Sequence, residues 1–87
     1  MSEHSTKILT LFKNRATVVD FRKLVMMIDH HYWDDFMNNR NLINEAVDQL
    51  LKDELLFLDT VLESDGRQWS GYRITDKGEA FLSQVEA

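Results

Sequence analysis

The three glycines of this chain, Gly66, Gly71 and Gly78, fall together in its last quarter, and it holds no proline. These two residue types are the strongest local interrupters of regular structure, so the first two-thirds of the sequence can run as helix while the turns are confined to the end. The apolar spacing agrees. Within residues 5–14, Ile8 with Leu11 and Phe12 makes one helical stripe and predicts a first helix. Thr17 with Asp20 three positions on matches a capping-box-like start. Phe21, Leu24, Val25 and Ile28 then follow the i, i+3, i+4, i+7 template of a second helix. Residues 16–19 read equally well as a short extended lead-in. Residues 30–37 mix aromatic and acidic side chains and read as a loop or a short extra turn. Asn38 and Asn39 are cap-type residues, and Leu42, Ile43, Ala46, Val47, Leu50 and Leu51 mark the apolar face of a third helix over residues 40–53.

From Leu55 the period changes. Residues 55–63 are rich in β-favouring apolar side chains, Asp65-Gly66 is a dipeptide preferred where a tight hairpin needs positive φ, and residues 68–75 return with Trp69, Tyr72 and Ile74. We expect a β-hairpin with Asp65 and Gly66 as its two loop residues. That register sets Leu62 opposite Trp69 near the tip and Phe57 opposite Ile74 at a base that joins the core. Thr75 or Asp76 then caps a short closing helix whose Phe81, Leu82 and Val85 fold back, with Gly78 allowing close backbone approach.

A chain of 87 residues suits one domain over residues 1–87, with a small core and a thin margin of stability. Charges interrupt every apolar run, so no segment reaches the length needed to cross a bilayer, and the first six residues carry no apolar stretch of the secretory kind. The absence of cysteine excludes disulfides, thiolate zinc sites and cysteine nucleophiles. We expect a cytoplasmic protein with no membrane association. Asp and Glu outnumber Lys and Arg by 15 to 10, a net charge of −5. Phosphate is bound by cations, so such a chain must gather them on one face to hold nucleic acid.

Helix, helix, helix, hairpin and closing helix is the order of a winged helix-turn-helix domain, an α+β fold. The run Tyr72-Arg73-Ile74-Thr75-Asp76-Lys77-Gly78-Glu79-Ala80-Phe81-Leu82 resembles the second wing strand and following helix of bacterial MarR- and PadR-like regulators. Residues 46–56 are similar to their recognition helix passing into the first wing strand. The resemblance implies transcription regulation, with the third helix in the DNA major groove, the wing on phosphate or the minor groove, and two copies acting as a dimer. It points to Arg40, Asn41, Asn44, Gln49 and Lys52 on the helix and to Arg67 and Gln68 on the wing as nucleic-acid contacts.

The charge of that helix opens a second reading. Residues 38–55 carry two cations, Arg40 and Lys52, against Glu45, Asp48, Asp53 and Glu54, and a groove-entering helix of that sign is repelled by phosphate. Tyr32, Trp33, Phe36 and Met37, flanked by Asp34 and Asp35, have the composition of a protein interface. They read equally as aromatics closing the core. A protein-binding module, an adaptor or a phage-type inhibitor, would then dock through these residues, Glu45, Asp48 and Trp69. The cations Lys7, Lys13, Arg15, Arg22 and Lys23 cluster near the N-terminus, either as ordinary solvated helix surface or as a face for an acidic partner. His30, His31, Asp34 and Asp35 have metal-ligand chemistry, but with His4 the one other histidine they read as a solvated loop, and we expect no metal and no cofactor. Nothing resembles a nucleophile elbow, a phosphate-cradling loop or a walled cleft, so we expect no enzyme.

Overall fold

The computed structural model describes residues 2–14 and 17–86. Arg15 and Ala16, which bear on the N-terminal cations and on the extended lead-in, lie outside the described residues. The first helix, α1 (Glu3–Thr10), begins earlier than its apolar stripe suggests, because the Ser2 hydroxyl accepts from the Ser5 N–H and caps it. It also ends earlier, and Leu11, Phe12, Lys13 and Asn14 form turns that carry Phe12 into the core. The second helix, α2 (Phe21–His30), is capped by Asp20, whose carboxylate accepts from the Lys23 N–H at 2.7 Å. Thr17 is therefore not its cap. Val18 and Val19 are buried in extended chain, and Val19 bridges Tyr72 through two backbone hydrogen bonds of 2.9 and 2.8 Å.

The aromatic and acidic stretch holds a short helix, α3 (Asp34–Asn38), and α4 (Asn41–Lys52) is the predicted third helix with its ends drawn in by one residue. The end of α4 has a defined cause. The Leu55 N–H reaches the Leu50 carbonyl, the Glu54 N–H reaches that of Leu51, and Glu54 takes the left-handed conformation at φ 61°. This is the Schellman arrangement, with Leu50 and Leu55 buried as its apolar contact.

The hairpin pairs β1 (Leu56–Leu62) with β2 (Gln68–Ile74), but one residue away from the predicted register. Leu56 faces Ile74, Val61 faces Trp69 and Leu62 faces Gln68. The loop explains the difference. The Gly66 N–H bonds to the Glu63 carbonyl, Gly66 adopts φ 91°, and the Glu63 N–H bonds to the Arg67 carbonyl, so the loop has three residues, 64–66. A tight turn followed by a left-handed glycine is the common three-residue hairpin. A shift of one residue exchanges the faces of a strand. Leu56 is consequently the core residue at the base, and Phe57 is exposed.

Thr75 caps the closing helix α5 (Asp76–Glu86), its hydroxyl accepting from the Gly78 N–H at 2.9 Å and donating to the Glu54 carbonyl at 2.7 Å. Gly78 is required by packing, since a Cβ there would collide with the Leu55 carbonyl and with Ile74 Cγ1. Gly71 plays the same part opposite Val18 and Val19, at 2.6 Å from Val18 Cγ1 and 2.8 Å from the Val19 carbonyl oxygen. Leu82 is buried and Phe81 half-buried, but Val85 faces outward and does not join the core as predicted. Ile8 and Leu9, Leu24 and Ile28, Phe36, the inner face of α4, Leu56 and Leu82 form one apolar cluster. The architecture is α+β and is that of a winged helix, with α3 inserted between the two helices of the helix-turn-helix.

Candidate functional site

Burying Ile43, Ala46, Val47 and Leu50 turns the opposite side of α4 to solvent. Asn41, Asn44, Glu45, Asp48, Gln49 and Lys52 are all exposed there. They divide into two rows. Glu45 and Gln49 border a groove shared with Ser2, His4 and Ser5 at the start of α1, and Gln49 Nε2 donates to Asp53 at 2.8 Å. Asn41, Asn44, Asp48 and Lys52 follow one another along the outer stripe at helical spacing. On the wing, burial and then the Asp48 carboxylate raise the Tyr72 phenol above its ordinary pKa.

Most cations proposed for nucleic acid already have acidic partners. Arg40 pairs with Asp29, Arg67 Nε with Asp65 at 2.7 Å, and on the wing Arg73 Nη1 lies 3.3 Å from Asp59. Of the named candidates, Lys52 is the cation that forms no ion pair among the described residues. Gln68 is exposed near the tip. Trp69 is half-buried on the other face of the hairpin, opposite Val61, and its indole N–H donates to Glu63 at 2.7 Å.

Directly opposed residues share a face, so Leu58, opposite Tyr72, and Leu62, opposite Gln68, stand on the side of the wing that continues from Leu56 and Ile74 toward α4. They are 61% and 66% exposed. Neither was singled out from the sequence, because the expected register put Leu62 against Trp69. Met26, 66% exposed, was missed as well. Its signal was legible: it is an apolar residue lying off the stripe that buries α2.

The aromatic insertion divides into anchors and exposed residues. Phe36 is fully buried, so it belongs to the core and offers no side chain to a partner. Trp33 is half-buried, stacked on His31 at 4.7 Å, tilted against Phe36, with Lys7 Nζ 5.5 Å from its ring centre. Asp35 binds α1 through His4 Nε2 at 2.9 Å and Lys7 Nζ at 3.3 Å. Burial works to raise the pKa of Asp35 and is outweighed by the Phe36 N–H, Lys7 and His4, which together hold it below its ordinary value. Tyr32, Asp34 and Met37 remain exposed, Tyr32 by 76% and at a left-handed φ of 55°.

With Asp35 drawn to α1 and His31 stacked on Trp33, the histidines and aspartates of this stretch do not converge. Among the described residues no three His, Cys, Asp or Glu side chains come together as a metal site, and no helix is long and apolar enough to cross a membrane.

The sequence matches no protein-family profile and no curated protein. The fold does have a solved counterpart. A Streptococcus transcriptional regulator superposes with a TM-score of 0.70 at 16% identity, over 94% of this chain and 76% of that one.

Proposed function

We propose that this chain is a non-enzymatic winged-helix regulatory protein, one domain over residues 1–87, that acts in the cytoplasm through contacts with another protein and does not hold DNA firmly by itself. The observation that carries the reading is the sign of the surface a winged helix offers to DNA. Glu45, Asp48, Asp53 and Glu54 belong to α4 and its end, Asp59, Glu63 and Asp65 to the wing, while Arg40, Arg67 and Arg73 are held by carboxylates of this same chain. Phosphate would meet arginines whose charge those carboxylates already balance, so little net attraction is left to drive counterion release. Exposed Leu58 beside Tyr72, and Leu62 farther along the same face, add apolar area of a kind a protein partner can cover and a phosphate backbone cannot. Asp34, Met37, Glu45, Asp48 and Trp69 are the remaining accessible or partly accessible candidates for such contacts; Phe36 is not. The likeness to a transcriptional regulator supports regulation as the context.

A second reading keeps DNA as the ligand. It is favoured by Asn41 and Asn44, two exposed carboxamides on the outer stripe of α4, which have the chemistry to pair with adenine edges. In that reading a second copy or a larger complex supplies the missing affinity. Fluorescence anisotropy with labelled duplexes separates the two. We expect binding weaker than about 10⁻⁵ M even at low ionic strength, where phosphate attraction is greatest. Submicromolar binding at physiological salt that is lost in Asn44→Ala would sink the protein-contact reading.

A further inference from the structure

Two neighbouring grooves on the outer side of α2 both have Met26 and His30 in their walls. The first, about 620 Å³, also has Lys13, Lys23 and Met27 in its walls, and the second, about 480 Å³, has Asp29, Tyr32, Met37 and Arg40. Met26, Tyr32 and Met37 are exposed apolar side chains. Their border runs against the charge of the molecule: in a chain of net charge −5, the described residues that line these grooves include Lys13, Lys23 and Arg40 against a single carboxylate, Asp29, which pairs with Arg40. The position of Tyr32 is a further mark. It follows the end of α2 in a left-handed conformation that glycine adopts freely and a tyrosine adopts at a cost, and its ring is held out in solvent instead of packing.

We infer that this surface docks an acidic amphipathic helix of another protein, with apolar side chains on Met26, Tyr32 and Met37 and carboxylates toward Lys23, Lys13 and Arg40. Charge complementarity selects the occupant, and the length of α2, ten residues or about 15 Å, matches about three turns of a partner helix. Methionine adapts its shape to such a partner, and an arginine held by one carboxylate still has guanidinium donors to offer. The inference rests on the protein-contact reading above and adds to it the face used and the chemistry of the partner.

The test is a titration of the isotope-labelled full chain, followed by amide chemical shifts, with a capped peptide of about 14 residues carrying Leu at i, i+3, i+4 and i+7 and Glu elsewhere. We expect saturable shifts centred on Met26, His30, Tyr32 and Met37. Lys23→Glu should weaken binding about tenfold or more, as loss of a central contact does at other interfaces. Tyr32→Gly should raise the melting temperature yet weaken binding to a similar degree, whereas Glu54→Gly should raise the melting temperature and leave binding unchanged. The inference is overturned by an absence of saturable shifts, by equal binding of the peptide with Lys in place of Glu, or by undiminished binding in Tyr32→Gly. Shifts at these residues that depend on protein concentration alone would show a second copy on the face, and a duplex that moves the same residues would show nucleic acid; either overturns it. Failure of the peptide with DNA still unbound removes this face alone and leaves the protein-contact reading standing.

Discussion

At the scale of single residues, the chain accepts left-handed backbone without glycine at Asn14, Tyr32 and Glu54. Asparagine tolerates that region through its short polar side chain, but Glu54 has no such excuse. Its side chain is exposed, and the Schellman bonds it completes are made by backbone alone. Glu54→Gly should therefore stabilise the fold by about 0.5–1 kcal/mol, the cost of the Cβ being partly offset by the added freedom of glycine in the unfolded chain. For a chain of this size that is a rise of about 2–8 °C in the thermal midpoint, measurable by circular dichroism. Gly71→Ala should do the reverse, since its Cβ would sit 2.6 Å from Val18 Cγ1 and 2.8 Å from the Val19 carbonyl oxygen. A loss of about 1–3 kcal/mol in urea unfolding is expected, the range of overpacked cores. Val18 can rotate away, but the Val19 backbone is pinned by its bridge to Tyr72.

Among elements, α3 is held by polar chemistry as well as by the buried Phe36. Asp35 ties it to α1 through His4 and Lys7, and its carboxyl is held below the ordinary aspartate range. A lowered folded-state pKa contributes stability that is fully present above the unfolded value and is lost as pH falls through the folded one. Acid unfolding should thus gain a component below the ordinary aspartate range, and Asp35→Asn should remove it while lowering stability at neutral pH; an unchanged acid limb in the variant would show the tether to be unimportant. The elements themselves were largely legible in the sequence. Helical periodicity found α2 and α4 because each buries one continuous stripe. The cap of α2 was misassigned because Thr17 and Asp20 both have capping chemistry, and only the pairing of Val19 with Tyr72 decides between them. The wing register was misplaced because Asp65-Gly66 signals where a turn lies and not how many residues it takes. Of the candidate contacts, the exposed polar row of α4 could be read directly, whereas Phe36 and Tyr32 look alike in sequence and are parted only by tertiary packing.

For the molecule as a whole, charge and apolar exposure are distributed unevenly. Carboxylates crowd α4 and the wing, while Lys13, Lys23, His30 and Arg40 face the grooves along α2. Interactions on either side should weaken with salt, since exposed charges are screened within about 8 Å at physiological ionic strength. The core joining the two sides is small. Phe36→Ala removes a fully buried ring from it and should cost about 3–5 kcal/mol, a large share of the roughly 5–15 kcal/mol that holds a domain together. Differential scanning calorimetry should show a sharply lowered or vanished transition. The bridge from Val19 protects one flank of β2, but among the described residues no strand lies along the free flank of β1. There an open row of backbone donors and acceptors accompanies Leu58 and Leu62, the geometry from which chains stack into fibrils. Asp59, the one charge within β1, is then a guard on solubility as much as a partner of Arg73, and Asp59→Asn should lower the concentration at which light scattering first rises.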